Sequence, residues 1–258
     1  MKINNSRTNV VIYIVEGKSE VECLRPVLSS LYDKTNPKYE VFFPPMIEEK
    51  GLNRGDITSK IGITPGNISG CIMKLYIDPF LNRFGLEASD IGEIVHIVDL
   101  DGAYIVDENI VEDKSLEKYH YTESVICANS AESVKNRNAL KRANIDYLTT
   151  RNYLLHKNSG YSIPYSIYFF SSNLDHFLHG DANVAEGKDK VEKAQLFAAQ
   201  YEDNPHDFIK AIKGRDGALV GKTYEESWDY IKQRNNNSLM PHTNINILLD
   251  RITDNTTS

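Results

Sequence analysis

The sequence predicts an α/β fold: a parallel sheet flanked by helices, with a helical carboxy-terminal lobe. Two observations predict it. The run VVIYIV at 10–15 is apolar throughout and rich in β-branched residues, the mark of a strand buried on both faces. Over the first hundred residues strands alternate with helical patterns, and that alternation implies a parallel sheet.

The elements follow in order. After the first strand, Val21, Leu24, Val27, Leu28 and Leu31 recur at helical spacing, with Pro26 as an awkward guest. Ser19 is the expected N-cap, with Glu22 as its capping-box partner. A short strand at 39–43 stops at Pro44 and Pro45, and 46–69 reads as a glycine-rich loop. A helix at 72–84, bent near Pro79, leads to a third strand in EIVHIVDL, 93–100. Residues 103–130 read as irregular with short strands, 131–143 as a polar helix and YSIYFF at 165–170 as a strand. Helical patterns then dominate at 186–201, 207–213, 223–233 and 244–252, before a polar tail expected to be disordered. The expected division is a metal-binding domain at 1–125 and a mixed strand and helical lobe at 126–258, packed on the same sheet.

Composition limits the function. The 258 residues are 41% hydrophobic and 25% charged, as in an ordinary globular protein. No apolar run approaches the ~20 residues that span a bilayer, and no signal peptide is evident, so a cytoplasmic protein without membrane partners is expected. Cys23, Cys71 and Cys127 are scattered, with no CxxC pair, which gives neither a disulfide framework nor a zinc knuckle. The net charge of −7 argues against a broad non-specific coat on nucleic acid.

The chemistry-bearing residues are carboxylates at strand ends. In parallel sheets ligands gather at the carboxyl ends of strands. Glu16 ends the first strand, while Asp99 and Asp101 end the third and, two apart, point the same way. Carboxylates within ~4 Å repel by roughly 4 kcal/mol per pair at an effective dielectric near 20, so such a group persists only if protonated or neutralised by a cation. All-oxygen donors favour Mg²⁺ or Mn²⁺, ions that polarise phosphate and activate water. The alternative for Asp99 and Asp101 is an Asx turn. Glu20 sits in the first helical turn, where the dipole alone would favour it. GKS is not a phosphate-binding P-loop, because Ile12 stands where that motif needs its first glycine.

IVEGKSE at 14–20, joined about eighty residues later to IVDLDG at 97–102, resembles the Toprim fold of topoisomerases, primases and OLD-type nucleases. The EGxxE form is most similar to OLD-type and RloB- or AbiL-like phage-defence proteins. The resemblance covers roughly residues 8–105. It implies that Glu16, Asp99 and Asp101 are metal ligands for Mg²⁺ or Mn²⁺, with Glu20 a fourth. It also implies a nuclease acting on RNA or DNA, held in check in an abortive-infection system and triggered through a partner ATPase. A looser likeness at SSNLDH, 171–176, brings in Asp175 and, as a general base, His176. The sequence has no room for topoisomerase strand-passage domains and no primase zinc module.

The remaining candidates are basic. Lys18 is either a phosphate contact or a solvated turn residue. Lys210, Lys213, Arg215 and Lys222 around the GRDG turn are either a nucleic-acid contact or a solvated face. A catalytically silent Toprim-like module docking on a partner protein is the competing reading, and a homodimer stays open.

Overall fold

A computed structural model describes residues 9–44, 56–184, 188–201 and 203–254. The first part of the glycine-rich loop, up to residue 55, and the tail beyond 254 lie outside the described residues. The first half contains β1 (Asn9–Ile14), α1 (Lys18–Thr35), β2 (Tyr39–Phe42), α2 (Ile68–Ile72), α3 (Asp78–Phe84) and β3 (Ile91–Asp99). Three short strands follow, β4 (Ile110–Glu112), β5 (His120–Tyr121) and β6 (Ile126–Ala128). Then come α4 (Ala131–Leu148), β7 (Tyr153–His156), β8 (Tyr161–Phe170) and α5 (Leu174–His179). The chain finishes with α6 (Lys188–Ala199), α7 (Pro205–Lys213), α8 (Tyr224–Lys232) and α9 (Ile245–Asp254).

The main sheet has five strands in the order β2-β1-β3-β8-β7. β2, β1, β3 and β8 are parallel, and β7 joins as an antiparallel partner of β8. Alternate residues of β1 feed opposite faces, as a pleated strand requires. Val10, Ile12 and Ile14 pack with Ile68, Ile72, Phe80, Ile145 and Trp228 from α2, α3, α4 and α8. Val11 and Tyr13 pack with Leu24, Leu28, Phe208 and Leu248 from α1, α7 and α9. The result is the helix-flanked, mostly parallel α/β fold the sequence predicts. A small second sheet, β4-β6-β5, has its own core around Ile105, Ile126 and Leu239.

Three local expectations are corrected. Ser19 is not the N-cap: Gly17 is, without a side-chain cap bond, and Ser19 is buried inside α1. The reason lies in Glu20, whose carboxylate folds back under the turn; a Cβ on Gly17 would stand 2.5 Å from Glu20 Oε2. The helix expected at 72–84 starts at Ile68 and runs on through α2, a π-helical turn (Met73–Ile77) and α3, with the π turn just before Pro79, whose missing N–H interrupts the helical ladder. β8 begins four residues before the expected strand. Pro164 is tolerated because pairing with β3 starts only at Tyr165.

Candidate functional site

The site lies where β1 and β3, neighbours in register from Val11 opposite Glu93 to Ile14 opposite His96, run out at their carboxyl ends. Glu16 Oε1 accepts the Asp99 N–H at 2.9 Å, which ties the turn after β1 to the end of β3. Beyond Asp99 the β3–β8 ladder continues: Leu100 N–H donates to Phe170 O and Asp101 N–H to Ser172 O at 3.0 Å. Asp101 has φ of 49°, the one positive φ outside glycine among the described residues. Gly102, at φ 67°, completes this left-handed corner. Asp99 meets Glu16 through its backbone N–H, and among the described residues its carboxylate is not in the group close enough to share one ion, which is formed by Glu16, Asp101 and Asp56.

Two residues not singled out in the sequence complete the cluster. Asp56, on the connection after β2, has its Oδ2 2.8 Å from Lys141 Nζ. The same ammonium is 2.7 Å from Asp101 Oδ2 and 3.5 Å from Glu16 Oε1, and the Lys141 side chain is 0% exposed. One oxygen from each of Glu16, Asp56 and Asp101 can be chosen so that all lie within 4.8 Å of one another. Arg137, one turn earlier on α4, donates Nη2 to Asp101 O at 3.0 Å and Nη1 to Tyr121 Oη. Helix α4 thus grips Asp101 by both its carboxylate and its carbonyl.

A second lysine serves the other side. Asn173 Oδ1 caps α5 by accepting the His176 N–H, which sets Asp175 in the first turn. Asp175 Oδ2 meets Lys190 Nζ at 3.0 Å, and Lys190 acts electrostatically on Glu20 and Asp99 as well. Six carboxyl groups, Glu16, Glu20, Asp56, Asp99, Asp101 and Asp175, therefore share two ammonium groups.

That imbalance shows in the ionisation. Burial, then Asp56, Asp99 and Asp101, push Glu16 well above the usual carboxylate range against the pull of Lys141. Burial, then Glu20 and Asp101, do the same to Asp99. Asp56 goes the other way: burial opposes its charge, but Lys141 and the Thr58 hydrogen bonds outweigh burial and hold it low. Burial alone would depress Lys141, yet Asp101, Asp56 and Glu16 hold its ammonium well above the usual lysine range. The donors are all hard oxygens and carry more potential negative charge than the lysines offset. They fit Mg²⁺ or Mn²⁺, with the reservation that Lys141 already occupies the Glu16–Asp56–Asp101 corner.

The other predicted residues fall elsewhere. His176 is half-buried, which lowers its pKa, and the carboxylates that act on it are Asp181 and Glu123 rather than Asp99 or Asp101. His179, three residues beyond His176 on α5, packs edge-on against Phe197. Lys18 is exposed at the start of α1. Lys213 pairs with Asp250, and the Lys222 ammonium lies 5.0 Å from the centre of the Tyr230 ring. Arg215 donates to Phe177 O and lies over the Phe177 and Phe197 rings at 5.6 and 5.7 Å. Arg215 is thus a packing residue between α5 and α6, and the GRDG stretch does not form a row of uncommitted cations.

Away from the site, Ser159 Oγ lies 2.7 Å from His156 Nδ1, whose Nε2 is 2.9 Å from Asp78 Oδ1, beside a cavity of about 520 Å³. This relay ties the β7–β8 turn to α3. The Gly160 N–H is bonded to His156 O and the Tyr161 N–H to Ser159 Oγ, so neither is left to hold an oxyanion.

Comparison with protein-family models, with curated proteins and with solved structures found no match. Among the described residues no helix is long and apolar enough to cross a membrane.

Proposed function

We propose that the protein is a Mg²⁺- or Mn²⁺-dependent nuclease that hydrolyses phosphodiester bonds of RNA or DNA. The observation that carries this reading is the Glu16–Asp99 hydrogen bond, which joins two acidic strand ends into one cluster at the carboxyl edge of a parallel sheet. Glu16, Asp101 and Asp56 would hold the ion, with Asp99 and Glu20 behind them. A bound divalent ion supplies a polarised phosphoryl oxygen and an acidified water. The protein's part is to fix the carboxylates. Arg137 and Ser172 hold the Asp101 backbone, Gly17 makes room for Glu20, and Lys190 orients Asp175.

The resemblance to OLD-type and RloB- or AbiL-like proteins supports a wider setting: a cytoplasmic effector of phage defence, triggered through a partner ATPase, with transfer RNA among its targets. Purified protein incubated with RNA and DNA in Mg²⁺ or Mn²⁺ tests the activity. Glu16→Ala and Asp99→Ala are expected to reduce cleavage by on the order of 100-fold or more with the fold retained. Sequencing the cut ends identifies the substrate. No cleavage by the native protein, with either ion and with the ATPase partner present, rejects the reading.

Lys141 favours a second reading. A buried ammonium that already contacts three carboxylates holds the corner together without metal, as a silent docking module would need. That reading predicts no cleavage and no effect of divalent ions on thermal unfolding.

A further inference from the structure

Lys141 is the least expected residue of the molecule. It sits on the inward stripe of α4 with Val134, Asn138, Ile145 and Leu148, where an apolar side chain would pack without desolvating a charge. Instead its Nζ lies among Asp101, Asp56 and Glu16 at 2.7, 2.8 and 3.5 Å. The cluster is therefore already shaped around a cation, and that cation is covalently part of the chain. Two residues that adjoin its members in the chain or by a backbone bond carry buried polar atoms without hydrogen-bond partners. One is Asn138 Nδ2; the other is Ser172 Oγ, on the residue whose carbonyl receives the Asp101 N–H.

A divalent ion sits about 2.0–2.1 Å from carboxylate oxygens when it is Mg²⁺. An ion seated on the carboxylate oxygens that Lys141 already contacts would stand within about 3–4 Å of the ammonium, and the two cations would repel at that distance.

We propose that Lys141 is a resident counter-ion that a divalent metal must displace from the Glu16–Asp56–Asp101 corner, so that metal occupancy is gated by withdrawal of one lysine. This rests on the metal-dependent reading above. It adds a regulatory element: one ammonium holds the corner together while metal is absent, and loading it requires the α4 side chain to move. Whatever shifts α4, including a partner docking against it, would then set the metal affinity.

The test uses Mn²⁺ alone as probe, with the full chain as native protein, Lys141→Met and Lys141→Arg. Met retains an unbranched stem of similar length, and Arg retains the charge. Without metal, Lys141→Met is expected to unfold at a lower temperature than the native protein. With Mn²⁺ it should show the larger upward shift and bind the ion tighter by on the order of tenfold or more, since no ammonium competes. Lys141→Arg should bind no tighter than the native protein. Asp101→Asn placed on Lys141→Met should abolish the gain, which puts the ion in this corner.

Equal or weaker Mn²⁺ binding by Lys141→Met overturns the gating proposal, as does a gain that survives Asp101→Asn. Should Lys141→Met fail to fold, Lys141→Gln provides the same comparison, and failure of both variants to fold even with Mn²⁺ also overturns it. The two readings separate cleanly. Cleavage by the native protein with unchanged Mn²⁺ affinity in the variant ends the gating proposal alone. A tightened Mn²⁺ site with no cleavage of any nucleic acid ends the nuclease reading alone.

Discussion

Glu16 and Asp99 are joined by a hydrogen bond across 83 residues of sequence, from the Asp99 N–H to Glu16 Oε1 at 2.9 Å. The contact makes Glu16 both a candidate ligand and a structural acceptor, and the two roles can be separated. Glu16→Gln and Glu16→Ala both remove the charge, but only Gln keeps an oxygen for the Asp99 amide. Gln is expected to be more stable than Ala by about 1–3 kcal/mol, the penalty of leaving a buried N–H unpaired. Urea unfolding of the two variants measures this; equal midpoints would show that the bond does not matter to the fold. Both should be inactive.

Gly17 is needed for a close approach rather than for an unusual φ, which is −134°. A methyl group there would meet Glu20 Oε2, the far end of a flexible side chain. Gly17→Ala should therefore change stability by less than about 1 kcal/mol while displacing the Glu20 carboxylate. Cleavage and Mn²⁺ affinity should fall although the unfolding curve barely moves. A variant with native activity would remove Glu20 from the site.

His96 lies under the cluster, 1% exposed, with Nδ1 2.9 Å from Tyr165 Oη. Burial pushes its pKa down to about 4 from an ordinary 6.5. Above 6.5 both folded and unfolded chains carry a neutral ring, and the full stability is present. As pH falls from 6.5 toward 4 the unfolded chain takes up the proton first, so stability declines by up to about 3 kcal/mol. His96→Phe should flatten this part of the pH–stability curve, read by urea midpoints between pH 7 and pH 4. An unchanged slope would mean that other groups set the acid limit.

Arg215→Ala should lower stability by about 1–3 kcal/mol, through the lost bond to Phe177 O and the lost stacking on two rings. Lys18→Ala, at an exposed turn, should stay within about 0.5 kcal/mol of the native protein. Paired chemical denaturation checks both. A stable Arg215→Ala with weakened nucleic-acid binding would return Arg215 to the interface.

Much of the site was legible because strand-end carboxylates have a strong local signature. VVIYIVEG and EIVHIVDLDG each state a buried strand and an acidic stop, and the pairing of β1 with β3 brings them together. Asp56 was not legible, since its loop has no periodicity and its place depends on Asn144 Nδ2 holding the Thr58 and Ile63 carbonyls. Lys141 was missed for a different reason. Its helix reads as polar, although Val134, Asn138, Lys141, Ile145 and Leu148 recur at one helical face. Polar residues on an inward stripe were the available signal. β7 escaped because four residues, YLLH, alternate too briefly to be told from a loop.

The register of β8 has a practical consequence. Ile94 through Asp99 each pair with a residue of β8, from Tyr165 to Phe170, so the carboxyl-terminal part of one edge of β3 is closed by chain that arrives after residue 160. A fragment ending near 125 would retain both acidic motifs yet bare that hydrogen-bonding edge, an invitation to self-association. The cluster belongs to the entire chain, and a minimal metal-binding fragment cannot be excised from its front half.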